Sequence, residues 1–362
     1  MRRIRSVIPE NVKILAVVKA DGYGHGAAET ARASIEGGAE YLAVASVAEG
    51  TALRMSGIHE PILVLGAVTE SDTKEGTEYG LIQTVCSPEM VMLCEEAATQ
   101  IGKETEVHLK IDTGMGRIGV RNEKELISVM TAIRNCPHVR LTGAFTHFAD
   151  ADDGEDGMRY TEEQFEKFRN LTNLLPDGIL RHCANSAAIH RRPDFAMDMV
   201  RAGISLYGYP PVKENNPGLQ MCMRWTAKIS YIKELPAGEY ISYGRTYRTS
   251  ETIRVATVTC GYGDGYHRCA AGKAEVLIRG KRAKIIGRIC MDQMMADVSS
   301  IPEAKAEDEV VLIGSQGDEM ITAEDIAAWA GTISYEVLLS TGSRVERIFS
   351  DGNFSDQTEA QK

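Results

Sequence analysis

The stretch ILAVVKADGYGHG (residues 14–26) joins a continuous apolar run to a lysine and three closely spaced glycines. Such a run is typical of a strand buried on both faces, as in a parallel sheet. Similar runs recur along the chain, separated by helix-like stretches such as 88–101, 122–135 and 160–175. The eight predicted strands are 14–20, 41–46, 61–66, 81–87, 106–112, 141–149, 179–185 and 199–208. Eight such units predict an N-terminal (β/α)8 TIM-like barrel, with a doubly wound open sheet as the competing layout.

The pattern changes after Pro210 and Pro211. Short strands then alternate with turns, and few helical patterns remain apart from AEDIAAWAG (323–331). The strands are 254–259, 274–287 with a hairpin-like RGKR, 294–298 and 308–314. This pattern predicts a C-terminal, mostly antiparallel β domain. Because KENNPG (213–218) supplies turn residues, we place the two domains at 1–215 and 216–362.

The composition excludes several classes of protein. Hydrophobic residues at 43% and charged residues at 25% are ordinary for a soluble globular protein. The net charge of -11 argues against a nucleic-acid surface, and there is no apolar run long enough to span a membrane. The eight cysteines contain no Cys-x-x-Cys pair, so they support neither a metal site nor a redox pair. We therefore expect a cytoplasmic protein with reduced thiols, no metal and no membrane or nucleic-acid partner.

In a barrel, functional residues gather where the strands end. Polar residues at these positions are Lys19, Lys110, Asp112, Arg117, His147, Asn185, Ser186 and Arg201. A lysine that closes a buried strand is unusual, because burial disfavours its charge. A desolvated lysine with a lowered pKa is a good Schiff-base nucleophile. Without its neighbours, Lys19 would more simply be a cation that emerges into solvent.

The segment VVKADGYGHG (17–26) resembles the cofactor-lysine motif of the alanine racemase family, which usually has Asn-Ala in place of Asp21-Gly22. The resemblance continues in order over nearly the whole chain. Its further segments are VHLKIDTGMGRIGV (107–120), GAFTHFA (143–149), RHCANSAA (181–188), MVRAGISLYG (199–208), EYISYGRTY (239–247), GYGDGYHR (261–268), IGRICMDQ (286–293) and SYEVLLSTGSRVER (334–347). It implies a fold-type-III enzyme that uses pyridoxal 5′-phosphate to interconvert L- and D-alanine and supplies D-alanine for peptidoglycan.

The resemblance also implies which residues hold the cofactor. Lys19 would carry it as a Schiff base, and the phosphate would meet Tyr23, Ser186, Tyr335 and the backbone after strand eight. The complete cofactor-binding set is Lys19, Tyr23, His147, Asn185, Ser186, Arg201, Gly203, Ile204 and Tyr335. Asn185 and Ser186 also read as a simple helix cap, and they can serve as both.

Arg201 matches the position that faces the pyridine nitrogen in the family. A guanidinium does not give up its proton, so it leaves that nitrogen neutral and the ring a weaker electron sink. This property suits racemisation, because it disfavours side reactions such as transamination. It also argues against the basic amino-acid decarboxylases of the same fold class, which pair the nitrogen with an acid.

The segment around residue 117 is assigned to the substrate. The resemblance implies that Arg117 binds the substrate carboxylate and that Lys110 occupies a position carbamylated in many members. A carbamate would be an anion able to hold Arg117, although an unmodified lysine is equally compatible with the sequence. The segment also contains Gly-x-Gly-x-x-Gly (114–119), the dinucleotide fingerprint, but the acid expected about 20 residues later is missing.

Racemisation needs an acid/base on each face of the α-carbon. The resemblance implies Lys19 for one face and Tyr243 for the other, with His147 and Arg201 as hydrogen-bonded catalytic partners. A free tyrosine has a pKa of about 10, so Tyr243 needs these hydrogen-bonded partners to act near neutral pH. The family forms a head-to-tail homodimer in which each β domain completes the other subunit's site. That arrangement would bring Tyr243, Met291 and Tyr262 to the partner's substrate.

Some features depart from the family pattern. The chain has GYGDGY for the usual GYADGY and RVER for the usual RVPR. It begins inside what would be the family's first helix, so we expect either a truncated start or another strand in place of the usual opening one.

Two alternatives remain open at the sequence level. The first is a serine or broad-specificity racemase of the same fold, because a small pocket rejects one added hydroxyl poorly. The second is a cofactor-binding protein without catalytic activity, but such a protein with this barrel would lack the β domain.

Overall fold

The computed structural model describes residues 1–67, 69–212 and 218–350. The chain divides into two units, Met1–Gln220 and Met221–Lys362. The domain boundary expected between residues 215 and 216 lies outside the described residues. Within the described residues, no helix is long and apolar enough to cross a membrane.

The first unit is built on eight parallel strands. They are β1 (Lys13–Val17), β2 (Tyr41–Val44), β3 (Ile62–Ala67), β4 (Ile82–Val85), β5 (Thr105–Lys110), β6 (Val139–Phe145), β7 (Leu180–His182) and β8 (Met199–Ala202). They pair in the order β7-β6-β5-β4-β3-β2-β1-β8. The two ends of this sheet meet, because the Arg201 N–H donates to the Ala184 carbonyl at 2.9 Å. The predicted barrel is therefore confirmed, and the doubly wound sheet is excluded.

Helices connect the strands and surround them. They are α1 (Arg2–Arg5), α2 (Lys19–Tyr23), α3 (Ala27–Glu36), α4 (Val47–Met55), α5 (Glu70–Glu78), α6 (Pro88–Ile101), α7 (Glu123–Arg134), α8 (Glu155–Thr172) and α9 (Ser186–Arg191). The helix predicted at 88–101 matches α6, which Ser87 caps and Gly102 ends in a left-handed conformation. The helix predicted at 160–175 begins earlier, because its polar first turn with Glu155 and Asp156 suits a helix N-terminus.

The barrel core comes from the apolar runs, and several strands end earlier than predicted. Leu15, Leu42, Leu63 and Leu109 are fully buried, as expected for strands covered on both faces. The strands predicted at 14–20, 141–149 and 199–208 end at Val17, Phe145 and Ala202. Lys19 and His147, which were expected on the strand ends, lie instead just after them, whereas Lys110 and Arg201 lie on β5 and β8.

The second unit is antiparallel. Its strands are β9 (Trp225–Leu235), β10 (Tyr240–Ile241), β11 (Tyr247–Arg248), β12 (Ile253–Val258), β13 (Glu275–Ile278), β14 (Lys281–Ile286), β15 (Met294–Asp297), β16 (Glu309–Gln316) and β17 (Glu319–Ile321), followed by helices α10 (Ala323–Ala330) and α11 (Ser334–Ser340). The main sheet runs β13-β14-β15-β12-β9-β16-β17 and also pairs β13 with β16, while β10 and β11 form a separate ribbon.

The local predictions for this unit have mixed outcomes. The hairpin expected at RGKR is present, and Arg279 and Gly280 have φ of 51° and 74°, which is the geometry of a type I′ turn. Strand β9 was not predicted, because polar residues interrupt its apolar ones and most of its side chains are at least partly exposed, so no apolar run marks it. Helix α11 was also missed.

Candidate active site

A left-handed turn follows β1 and carries the lysine of the first motif. Residues 20–24 all have positive φ, between 52° and 79°. Left-handed conformation costs a non-glycine residue roughly 1–2 kcal/mol, so its surroundings must hold this turn. Inside it, the Gly22 N–H donates to the Val18 carbonyl at 3.0 Å. A Cβ on Gly22 would lie 2.7 Å from the Thr30 hydroxyl, so a larger residue there would force Thr30 to move.

Lys19 opens this turn and is half-buried. Burial lowers the pKa of its amine, and the positive charge of Arg117 lowers it further, while the Glu49 carboxylate opposes both effects. A lowered pKa increases the neutral, nucleophilic fraction of the amine. The geometry therefore gives Lys19 the character that the sequence predicted.

Two hydroxyl groups face one glycine after β8, the strand that pairs with β1. A Cβ on Gly203 would lie 3.1 Å from the Tyr23 hydroxyl oxygen and 3.7 Å from Ser186 Oγ. Ser186 Oγ accepts the Gly203 N–H at 2.9 Å. The Tyr23 ring stacks on Tyr207, with the ring centroids 4.7 Å apart. Only a residue without a side chain leaves this space between the hydroxyls open.

Residues on either side of this space hold it in place. Asn185 caps α9, since its Oδ1 accepts the Ala188 N–H at 3.0 Å. Ile204 is buried and starts a short 3₁₀ turn, Ile204–Tyr207. The Tyr207 hydroxyl donates to the Val17 carbonyl at 2.9 Å, which joins this turn to the end of β1.

Arg201 on β8 is 4% exposed. Its Nη1 donates to His182 through the ring Nδ1 at 3.1 Å and the carbonyl at 2.9 Å. Its Nη2 donates to the Thr146 and Cys183 carbonyls and lies 3.4 Å from His147 Nδ1. Among the described residues, no carboxylate contacts it and no partner is found for Nε. Burial lowers its pKa to about 10, so it stays charged near neutrality.

The histidines around this guanidinium are neutral. Burial and the Arg201 charge hold the pKa of His147 and His182 well below the usual value. Because an arginine has no acceptor, the Nδ1 of each must accept and Nε2 must carry the proton. His182 Nε2 lies 3.0 Å from His108 Nδ1 and donates to it. His147 likewise carries its proton on Nε2.

Lys110 and Arg117 lie on and after β5. Lys110 is almost fully buried, its Nζ donates to the Ile111 carbonyl at 3.0 Å, and burial together with Arg201 lowers its pKa to about 7. Arg117 is exposed, and no hydrogen bond or ion pair of its side chain is found in the described ranges. It is therefore available to an anionic ligand.

Positive charge exceeds negative charge in this part of the barrel. The nearby Asp112 carboxylate accepts the N–H groups of Gly114 and Gly116 at 3.0–3.1 Å. Because its carboxylate oxygens already accept these backbone N–H groups, Asp112 is not an ion-pair partner for the free guanidinium of Arg117. Such a site suits a ligand with more than one negative group.

In the second unit, three loops are braced together and present large side chains. Tyr243 is 68% exposed, Met291 53% and Tyr262 40%. The Gly263 N–H donates to the Met291 carbonyl at 2.7 Å, and the Ser242 hydroxyl donates to the Arg288 carbonyl at 2.6 Å.

One arginine holds two of these loops. Arg344 donates to Asp292 at 2.8 Å and to the Gly263 carbonyl at 3.2 Å, and it lies 3.2 Å from Asp264. Arg344 therefore connects the loops of Tyr262 and Met291.

The structure thus groups the predicted residues into two sets. Lys19, Tyr23, Lys110, Arg117, His147, Asn185, Ser186, Arg201, Gly203 and Ile204 belong to the barrel unit, whereas Tyr243, Tyr262, Met291 and Tyr335 belong to the β unit. Tyr335 is half-buried on α11. Sequence reasoning missed the supporting residues Glu49, His182, Tyr207 and Arg344. Of these, only Glu49 had a local signal, the Ser-x-x-Glu pattern of a helix start (46–49).

Comparison with known proteins gives consistent results over both units. Models of the alanine racemase N-terminal and C-terminal domains match residues 1–211 and 222–349. An alanine racemase of Halothermothrix orenii is 43% identical over 351 residues, which are 95% of this chain and 92% of the relative.

Two solved structures are also similar. Alanine racemase from Clostridium difficile 630 has a TM-score of 0.89 and 40% identity, over 95% of this chain and 90% of that one. Alanine racemase from Bacillus anthracis with bound L-Ala-P has a TM-score of 0.87 and 38% identity, over 94% and 89%.

Proposed function

Since the chain belongs to the alanine racemase family and interconverts L- and D-alanine, we propose that it does so with pyridoxal phosphate at the barrel mouth and with Lys19 and Tyr243 as the two bases. The family prediction drawn from the motifs is confirmed. Alanine is favoured over the serine alternative, because the relatives are alanine racemases.

The residues of the barrel fit this cofactor. Lys19 would bind it covalently, and Tyr23, Ser186 and the Gly203–Ile204 backbone would hold its phosphate, next to the space that only a glycine leaves open. The Nε of Arg201 would donate to the pyridine nitrogen. When bound, pyridoxal phosphate withdraws electrons from the substrate α-carbon and makes its proton acidic. The expected phosphate contact of Tyr335 stays a prediction.

Lys19 and Tyr243 would move the protons. The lowered pKa of Lys19 supports its role, because a neutral amine can accept a proton near neutral pH. His147 donates from Nε2, since its Nδ1 accepts from Arg201. We propose that this proton stabilises the deprotonated Tyr243 oxygen, which would couple the second base to Arg201.

Arg117 and the Met291 backbone would bind the substrate carboxylate. Arg117 is well suited, because its guanidinium has no partner within the described ranges. The buried Lys110 amine, with a pKa of about 7, is partly neutral at physiological pH and can react with carbon dioxide. The resulting carbamate would give Arg117 an anion to pair with.

We propose that the site is shared in a homodimer. Tyr243, Met291 and Tyr262 present large apolar surface from one braced set of loops, as is usual for residues that another protein surface covers. A second copy of the chain, which offers a cationic barrel mouth, is the partner that the resemblance implies.

Mixing two inactive variants tests the shared site. We expect Lys19→Ala and Tyr243→Phe each to lower kcat by about a thousandfold or more. After subunit exchange, half of the dimers would be mixed, and each would hold one intact site. Racemisation of L-alanine should then recover to about a quarter of the wild-type rate.

A second mixture is the control for that experiment. Lys19→Ala mixed with Arg117→Ala should stay inactive, because both changes lie in the barrel and every site keeps a defect. If native mass spectrometry shows mixed dimers and the first mixture stays inactive, the two-subunit site is wrong.

We further propose that the enzyme supplies D-alanine for peptidoglycan from the cytoplasm. All eight cysteines are free, and four of them are buried, which agrees with a reducing compartment.

A further inference from the structure

One carboxylate ties the backbone beside Lys19 to the neighbouring strand. Glu49 lies in the first turn of α4. Its Oε1 accepts the N–H of Ala20, the residue directly after Lys19, at 2.8 Å. Its Oε2 accepts the N–H of Ala45, just past the end of β2, at 2.7 Å. The loops after β1 and β2 therefore share one anionic acceptor.

The turn at Lys19 needs an external support. Ala20 and Asp21 adopt φ of 52° and 53° without being glycines, and such strain persists only where the surroundings impose it. The hydrogen bonds inside the turn use the N–H groups of Gly22, Gly24, His25 and Gly26. The Ala20 N–H is bonded by Glu49 instead, and a charged acceptor makes a stronger bond than a neutral one.

Glu49 is itself fixed by the start of its helix. The Ser46 hydroxyl caps α4 by accepting the Glu49 N–H at 3.3 Å. A carboxylate in the first turn is also stabilised by the positive end of the helix. Its position is thus set by α4 and does not depend on Lys19.

A second helix start shows what is specific to Glu49. Glu125 occupies the same position in α7, where Asn122 is the cap. Its Oε2 accepts the Arg121 N–H at 2.7 Å, as Glu49 does with Ala45. Its Oε1, however, accepts from Asn122 Nδ2 at 2.7 Å and not from another loop. The two glutamates share the capping role, and only Glu49 also holds the catalytic turn.

We propose that Glu49 is a positioning residue for Lys19, which fixes the left-handed turn and so places the amine at the barrel mouth. This inference rests on the proposed role of Lys19. The negative charge of Glu49 is consistent with it, because it limits how far burial and Arg117 lower the pKa of the amine.

The first test measures the backbone directly. In the purified holoenzyme of Glu49→Gln, amide hydrogen exchange in residues 18–26 should be about tenfold faster than in wild type, because an amide cannot accept both N–H groups. Glu125→Gln, the matched control, should leave this segment unchanged and speed exchange only around 121–125.

The second test measures attachment of the cofactor. Apo-protein is mixed with pyridoxal phosphate, and covalent attachment is followed by visible absorbance. Glu49→Gln should react about tenfold more slowly than wild type and Glu125→Gln at the wild-type rate. Glu49→Asp, which keeps the charge and shortens the reach, should fall between them, and it replaces the glutamine variant if that one does not fold.

The outcomes separate this inference from the proposed function. If Glu49→Gln matches wild type in the exchange of residues 18–26 and in attachment, the positioning role of Glu49 is wrong. If Lys19→Ala still attaches the cofactor covalently, the proposed role of Lys19 fails instead.

Discussion

The barrel mouth and the tyrosine-bearing loops are each organised around one arginine, but in different environments. Arg201 is 4% exposed, and its five contacts are backbone carbonyls and neutral imidazoles. Arg344 is half-exposed and holds two loops through two carboxylates and a carbonyl.

This contrast shows how differently the two units surround their arginines. In the barrel, both Nη atoms of Arg201 are hydrogen-bonded within the unit, and among the described residues its Nε has no hydrogen-bond partner. In the β unit, Arg344 makes its hydrogen bonds and ion pairs to the loops. The Tyr262 and Met291 side chains on those loops are nevertheless exposed. The proposed homodimer would cover this exposed surface.

The largest effect on stability is expected from Arg201→Lys. An ammonium group cannot make the five contacts of the guanidinium, so buried carbonyls lose their donors, at a cost of about 3 kcal/mol. We expect the melting temperature to fall by about 6–12 °C and kcat by about a hundredfold. Calorimetry and a racemisation assay measure both. Equal melting temperatures would show that these contacts are not a structural support.

A smaller effect is expected from pH at Lys110. Its pKa is lowered from 10.5 to about 7, so the neutral fraction that reacts with carbon dioxide grows as pH rises through about 7. With labelled bicarbonate, the carbamate signal in carbon-13 NMR should increase over this range and be absent in Lys110→Ala. A signal independent of pH, or one that persists in the variant, would contradict the assignment.

The same shift predicts how stability depends on pH. Between about 7 and 10.5, the folded protein binds fewer protons at Lys110 than the unfolded chain does. The contribution of an unmodified Lys110 to the free energy of unfolding therefore rises with pH across this window and is lowest below it. Urea titrations of Lys110→Met, compared with wild type without bicarbonate, should show a smaller rise.

The smallest effect is expected from Arg344→Ala. Exposed ion pairs contribute little to stability, so the melting temperature should change by less than about 2 °C. The KM for alanine should still rise about threefold, because the loops of Tyr262 and Met291 lose their common support.

Arg282→Ala is the control for this change, since Arg282 also bridges two carboxylates in the same unit but contacts neither loop. An equal rise in KM in both variants would show that the effect is not specific to these loops.

Much of this protein is predictable from its sequence, because the signals are local. The apolar runs determine the strands, since a strand buried on both faces must be apolar throughout. The Arg279-Gly280 turn determines its hairpin by backbone conformation alone. The motifs around Lys19, Arg117 and Arg201 predict the chemical groups of the proposed site.

Only the tertiary structure decides how those groups are held and charged. The apolar run 14–18 gives no sign of the left-handed turn that follows it. Nothing near residue 20 indicates that Glu49, 29 positions later, supports that turn. The contacts of Arg201 with Thr146, His147 and His182 likewise join residues distant in sequence. The physical reason is that parallel strands bring their carboxyl ends to one edge, where burial and neighbouring charges set each pKa.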